Sequence, residues 1–212
     1  MSQLEQASTM GEAEQHLIQV CPAMRRHVPH HEPFPARFDR FKDPYKALIR
    51  AVVYQQLSGK AAATIYGRLI ALYDKNHPEP ADVLETTDER FRAAGLSRQK
   101  IAAIRDIAQK RLDNVIPHQR AIIRLPDEEI IERLTAVHGV GRWTVEMYLI
   151  FSLRRPDVLP VDDLGVRKGA EKMLDRPLTP RELGEYGQRW APWRSAAAWH
   201  CWRAVDTVVM AS

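Results

Sequence analysis

Two acidic residues, Asp162 and Asp163, stand side by side in Leu159-Pro-Val-Asp-Asp-Leu-Gly-Val-Arg-Lys-Gly169. Read alone, a carboxylate ahead of a helical run is an N-cap, and both Asp162 and Asp163 suit that role. A fixed carboxylate can equally oppose positive charge that develops on a substrate. Upstream, in Leu134-Thr-Ala-Val-His-Gly-Val-Gly-Arg-Trp-Thr144, Gly139 and Gly141 bracket Val140 between two helical runs. Two glycines permit a tight hairpin and let a phosphate approach the backbone closely. The second run, beginning at Arg142, would present unpaired N–H groups and the positive end of its dipole. The same glycines could serve only as the C-cap of an ordinary helical corner. Trp143 and the acidic turn downstream set this corner apart from a plain one.

Other reactive side chains point to less. His27, His30 and His31 cluster by count, but they lie in a proline-rich stretch with no helical spacing, and a solvated loop is expected. Cys21 and Cys201 are the two cysteines of the 212 residues. Two are too few for a disulfide framework, a four-cysteine zinc site or an iron–sulfur cluster, and reduced thiols in an intracellular protein are expected. Lys and Arg number 31 against 27 acidic residues, a formal net charge of +4, which suits a polyanionic partner such as nucleic acid. Residues 1–15 are polar and acidic, without a signal-peptide core. No later apolar run has the length to span a membrane.

Apolar residues recur at helical spacing almost throughout, and no segment alternates over strand length. Asp43-Pro44 reads as an N-cap with proline at the first helical position, opening a helix over Tyr45–Leu57. Gly59 separates it from a second run, Ala61–Tyr73. Thr86 and Glu89 have capping-box spacing, and Ser97 suits the cap of a helix bearing Ile101, Ile104 and Ile107. Pro126 begins another helix, with Ile130, Ile131, Leu134 and Val137 on one face. Thr179-Pro-Arg-Glu182 is a second capping box, and Trp193–Met210 reads as the last helix. Pro29, Pro33 and Pro35 crowd the approach to Asp43, so only partial order is expected in the first forty residues.

Hairpin, Pro/Gly connection and acidic turn together resemble the helix-hairpin-helix DNA glycosylase superfamily, and most closely its alkylbase branch, the 3-methyladenine glycosylases of the AlkA type. Three further stretches carry the likeness. Val53-Tyr-Gln-Gln-Leu-Ser-Gly-Lys-Ala-Ala62 is similar to the family's early helix-loop-helix, Gly95-Leu-Ser-Arg-Gln-Lys100 to its middle turn, and Trp190-Ala-Pro-Trp-Arg-Ser195 to the turn into its last helix. The likeness runs from about Asp43 to Trp202. It implies an all-α fold of two helical lobes flanking a cleft. Residues 1–42 plus 159–212 would form one lobe and 43–158 the other, with the helix-hairpin-helix at about 126–153.

The resemblance also implies roles. Asp163 rather than Asp162 matches the catalytic carboxylate, since Val166 and Arg167 supply the aliphatic and basic positions that follow it in the family. Breaking the bond between base and sugar leaves positive charge on the deoxyribose, which a carboxylate beside C1′ stabilises while orienting water. The nucleotide must first leave the duplex. Trp143 stands where relatives that also cut the backbone carry lysine, so no Schiff base can form there and a monofunctional enzyme is implied. Trp143 and Trp202 match aromatic positions of the alkylbase pocket, Met147 stands where a relative has an aromatic, and Tyr54 falls at the pocket mouth. Each aromatic face would attract a cationic alkylpurine by roughly 0.5–2 kcal/mol. Trp190, Trp193 and Trp199 read as core. Gln56 falls at the wedge that fills the gap left by the extruded base. Gly139, Val140, Gly141, Arg142 and Thr144 would carry the contacts to the DNA backbone. Backbone carbonyls of Thr135, Val137 and Val140 would hold a monovalent cation, Na or K, at the hairpin. No other cofactor is implied.

The expected function is hydrolysis of alkylated purines (3-methyladenine, 7-methylguanine) from double-stranded DNA in base excision repair, by a monomer inside the cell, in the cytoplasm or nucleoid if bacterial. Two alternatives compete. A glycosylase of the same superfamily for oxidised or mismatched bases is disfavoured by the absent lysine and cysteine cluster. A non-enzymatic DNA-binding hairpin protein is disfavoured by Asp163, because a pure binder gains nothing from acid near phosphates.

Overall fold

The computed structural model describes residues 11–35, 41–73 and 77–205, and among them every regular element is helical. They fall into two compact units: residues 11–35 with 154–205, and residues 41–73 with 77–153. The first unit begins with α1 (Glu12–Val20) and α2 (Pro22–His27), so the proline-rich approach to Asp43 is preceded by regular helix.

The second unit opens with α3 (Pro44–Tyr54). Asp43 caps it as expected, accepting from Tyr45 N at 3.0 Å and Lys46 N at 3.3 Å, and Leu48, Ile49, Val52 and Val53 are buried. The helix stops three residues short of the expected Leu57, because Gln56 turns to a positive φ of 56°. Ser58 then caps α4 (Gly59–Ile70), so Gly59 lies in the first turn of that helix and is not a spacer. After α5 (Pro80–Glu85), α6 (Asp88–Ala93) is capped by Thr87, one residue beyond the expected Thr86. The Thr86 hydroxyl is committed elsewhere: it donates to Asp82 O at 2.7 Å and lies 3.0 Å from the Tyr73 hydroxyl.

Ser97 caps α7 (Arg98–Leu112), whose Ile101, Ala103, Ile104 and Ile107 are buried. The short α8 (Gln119–Ile122) leads to α9 (Asp127–Thr135), where Pro126 holds the cap position and Ile130, Ile131 and Leu134 face the core. A turn with Gly139 at φ 76° separates α9 from α10 (Arg142–Tyr148), which continues as a π-helical stretch over Leu149–Leu153.

The chain then returns to the first unit for α11 (Leu164–Leu174), α12 (Pro180–Gly187) and α13 (Arg194–Ala204). The break in contacts falls at 153/154, ahead of the expected boundary at 158/159. Its cause is local. Arg194 grips Asp157 through two bonds of 2.7 and 2.9 Å, while the Ser195 hydroxyl donates to Arg155 O at 2.7 Å and accepts from Val158 N at 3.0 Å. Residues 155–158 are thereby tied to the head of α13. The Thr179–Glu182 capping box forms as expected. The last helix is shorter than Trp193–Met210, since α13 begins at Arg194, ends at Ala204 and Met210 lies outside the described residues. A side chain at Gly169 would collide with the Cys201 carbonyl, so glycine lets α11 and α13 meet backbone to backbone.

Candidate active site

Asp163, and not Asp162, is the N-cap of α11, a role open to both from the sequence. The cap falls on the second acid because Asp163 N bonds Pro160 O at 3.0 Å, closing a turn that leaves Asp162 exposed. Its Oδ1 accepts from Val166 N at 2.8 Å and from the indole Nε1 of Trp202, on α13, also at 2.8 Å. Two donors on one oxygen set both the position and the plane of the carboxylate. Trp202 is only 2% exposed, so its ring offers a ligand little face, and a buried indole N–H needs an acceptor such as this one. The resemblance implies a place for it in the pocket wall; the structure shows its indole N–H bonded to Asp163. Trp190 and Trp199 are buried as expected, whereas Trp193 is half-buried.

The remaining candidates sit on the other unit. Trp143, the second residue of α10, is 41% exposed. Met147 lies one turn further along and is half-buried. Tyr54 closes α3, largely buried, with the Arg50 guanidinium 4.0 Å from its ring centre. Gln56 is exposed at the tip of the loop that follows.

The hairpin is braced from within. Val140 N donates to Val137 O at 3.1 Å, and Thr144 N to Gly141 O at 3.0 Å. Thr144 is buried, so of the expected DNA contacts Gly139, Gly141 and Arg142 lie on the exposed rim, while Val140 and Thr144 do not. Arg142 is paired with Glu128 at 2.8 Å and with buried Glu146 at 3.1 Å, bonds that raise its pKa further. Sequence reasoning missed these carboxylates. Glu128 sits in the acidic first turn of α9, and only the hairpin's fold brings it back to Arg142.

The three histidines do not form a solvated loop. His30 is exposed, but His27 and His31 are half-buried, and His31 stacks on His200 of α13 with ring centres 5.7 Å apart. Burial, then the neighbouring His200, His27, Arg203 and His30, push His31 down to about 4. His200 Nε2 lies 3.6 Å from Glu14 Oε1 of α1. Glu14 is held below the usual carboxylate range: burial opposes ionisation, but the nearby His200 imidazole and the bond from Phe34 N, at 2.9 Å, outweigh it. Among the described residues no group of His, Cys, Asp and Glu could hold a metal, and no helix is long and apolar enough to cross a membrane. Both cysteines are buried free thiols.

A helical hairpin ahead of a capped aspartate defines a class. Residues 49–191 match the model of the HhH-GPD superfamily of base excision DNA repair proteins, and the chain belongs to that family. Within it, the chain is 42% identical over 172 residues to DNA-3-methyladenine glycosylase 1 of Schizosaccharomyces pombe, covering 80% of this chain and 75% of that one. The alkylbase DNA glycosidase-like protein mag2 of the same organism is 33% identical, with 76% and 77% covered. Among solved structures, the S. pombe 3-methyladenine DNA glycosylase in complex with abasic DNA superposes with a TM-score of 0.80 at 38% identity, over 91% of this chain and 96% of that one. A DNA-3-methyladenine glycosidase from Bacillus halodurans gives 0.83 at 29% identity, over 93% and 90%.

Proposed function

We propose that the protein is a monofunctional DNA glycosylase that hydrolyses the N-glycosidic bond of alkylated purines in double-stranded DNA. The observation that carries this reading is Asp163, a carboxylate fixed by the Val166 N–H and the Trp202 indole within a base excision repair fold. The C1′–N bond breaks with its electron pair leaving on the base. A purine alkylated at N3 or N7 is cationic and departs neutral, so little protonation is needed. Asp163 stabilises the positive charge left on the sugar and orients water, whose oxygen bonds C1′ as its proton passes to the carboxylate and on to solvent. An abasic site remains.

Trp143 supports the remaining parts of the reading. Its exposed ring can take the face of a cationic purine. It also occupies the position where a lysine would attack the sugar, so the backbone is left uncut. Gln56 is the wedge, and the hairpin rim at Gly139, Gly141 and Arg142 holds the DNA backbone whatever its sequence. The carbonyls of Thr135, Val137 and Val140 are hard oxygen donors at a helix end and suit Na or K. Val137 O already accepts the Val140 N–H, which leaves its second lone pair for an ion. The protein acts as a monomer.

The test is to incubate the protein with DNA treated with a methylating agent and identify the bases set free. Release of 3-methyladenine or 7-methylguanine is expected. Asp163→Asn keeps the oxygen that accepts both bonds but removes the charge, so it should abolish release and retain DNA binding. Full release by that variant refutes the assignment.

A further inference from the structure

One face of α7 braces both the wedge loop and the hairpin. Lys100, Ala103 and Asp106 follow one another at three-residue steps and so share a side of the helix. The Lys100 ammonium donates to Val53 O at 2.7 Å and to Gln55 O at 3.0 Å, the carbonyls at the end of α3 from which the Gln56 loop springs. Six residues on, Asp106 Oδ2 accepts from His138 N, in the hairpin, at 2.7 Å, and Lys110 holds the same carboxylate. Between them Ala103 packs under the turn, where a Cβ built on Gly139 would meet its own Cβ at 3.4 Å. A cross-brace closes the frame: Gln55 Nε2 donates to Gly139 O at 3.0 Å.

We propose that Lys100 and Gln55 are positioning residues for base extrusion, fixing the wedge at Gln56 at a set offset from the hairpin that grips the phosphates. This rests on the glycosylase reading. Gln56 is exposed and left-handed, a conformation that a non-glycine residue keeps only when its surroundings enforce it. Lys100 enforces it by capping the carbonyls on the near side, and Gln55 by anchoring the loop to the hairpin. A wedge enters the base stack productively only if its distance from the gripped phosphate is held. Neither residue touches the reacting atoms.

The test compares two duplexes in single-turnover reactions. In one, 7-methylguanine is paired with cytosine; in the other the same base sits in a single-nucleotide bulge and needs little extrusion. Lys100→Met should slow release from the paired duplex by about ten- to a hundredfold, the scale of an ångström-level misplacement. Release from the bulge should fall far less, and Lys100→Arg should restore most of the paired rate. Gln55→Leu should shift the same ratio in the same direction, and it decides the matter if Lys100→Met does not fold by circular dichroism. Equal losses on both duplexes, or no loss in either variant, overturn the proposal. Should the unaltered protein release base from neither duplex, the glycosylase reading itself falls, and this one with it.

Discussion

Gly165 stands where any side chain would press on both Asp163 and Trp202. A Cβ there would lie 2.8 Å from Cδ1 of the Trp202 ring and 3.2 Å from Asp163 Oδ1. The glycine is therefore part of the arrangement by which the indole N–H reaches the carboxylate. The close fit of α11 against α13 at Gly169 sets the two helices at the spacing this bond needs.

Trp202→Phe keeps a ring in the buried site and removes the N–H. The carboxylate would keep the Val166 bond and lose the second constraint on its plane. The single-turnover release rate is expected to fall about tenfold or more, with affinity for abasic DNA little changed, and stability to drop by about 1–3 kcal/mol. Kinetics together with thermal melting check this. A variant that melts lower but releases base at the original rate would reduce the bond to a structural one.

Gly139→Asp tests the hairpin. At φ 76° an L-residue is strained, although its Cβ would meet Ala103 at an ordinary contact distance of 3.4 Å, and a carboxylate would face phosphate. Binding to undamaged DNA of any sequence should weaken by about tenfold or more. Gly141→Asp should weaken it less, because Gly141 sits at φ −90° with nothing within 4 Å of an added Cβ. Equal affinity across all three proteins would exclude the hairpin as the anchor.

Legibility in the sequence followed the range of each interaction. Asp43, Ser97 and Thr179 cap helices through bonds that span two or three residues, and residue type with spacing was enough to find them. A cap at the Asp162–Asp163 pair could be placed from local pattern as well, whereas a catalytic role for Asp163 rests on the family resemblance. The fixing of Asp163 by Trp202, 39 positions away, could not be placed, since nothing near either residue encodes the meeting. The Lys100 bonds cross 45 and 47 positions, and the His31–His200 stack joins opposite ends of the chain. Thr86 and Thr87 show a finer limit. Both could cap α6, and the choice was made by the Tyr73 hydroxyl near Thr86, which a local pattern does not contain.

His31 and Glu14 predict acid sensitivity in the unit that carries Asp163. His31 titrates near 4 when folded against an ordinary 6.5, so between those values the unfolded chain binds the extra proton. Its contribution is intact above about pH 6.5 and is lost as pH falls toward 4. Glu14, depressed by the nearby His200 and the bond from Phe34 N, acts in the same direction: its contribution is present above its unfolded value of 4.5 and fades as pH falls through the lower folded value. The melting temperature should therefore be lower at pH 5 than at pH 7. In His31→Phe, which keeps a ring against His200, the difference should shrink. An unchanged difference would assign the acid sensitivity to other groups.

On the proposed reading, in which Arg142 contacts phosphate, Glu128 competes with DNA for that arginine. Their bond is exposed, with side-chain accessibilities of 51% for the arginine and 76% for the glutamate. An exposed pair of this kind contributes about 1 kcal/mol or less, so a phosphate can displace the carboxylate, but only after breaking both of its contacts. Glu128→Gln removes the competing charge and leaves Glu146 as a buried support at 3.1 Å. Affinity for duplex DNA of any sequence should rise a few-fold, and the slope of log affinity against log salt should steepen by about one ion. Arg142→Ala should move both quantities the opposite way, and the double variant should match Arg142→Ala alone. If Glu128→Gln strengthens binding equally with or without Arg142, the glutamate acts through its own charge and Arg142 is not a phosphate contact.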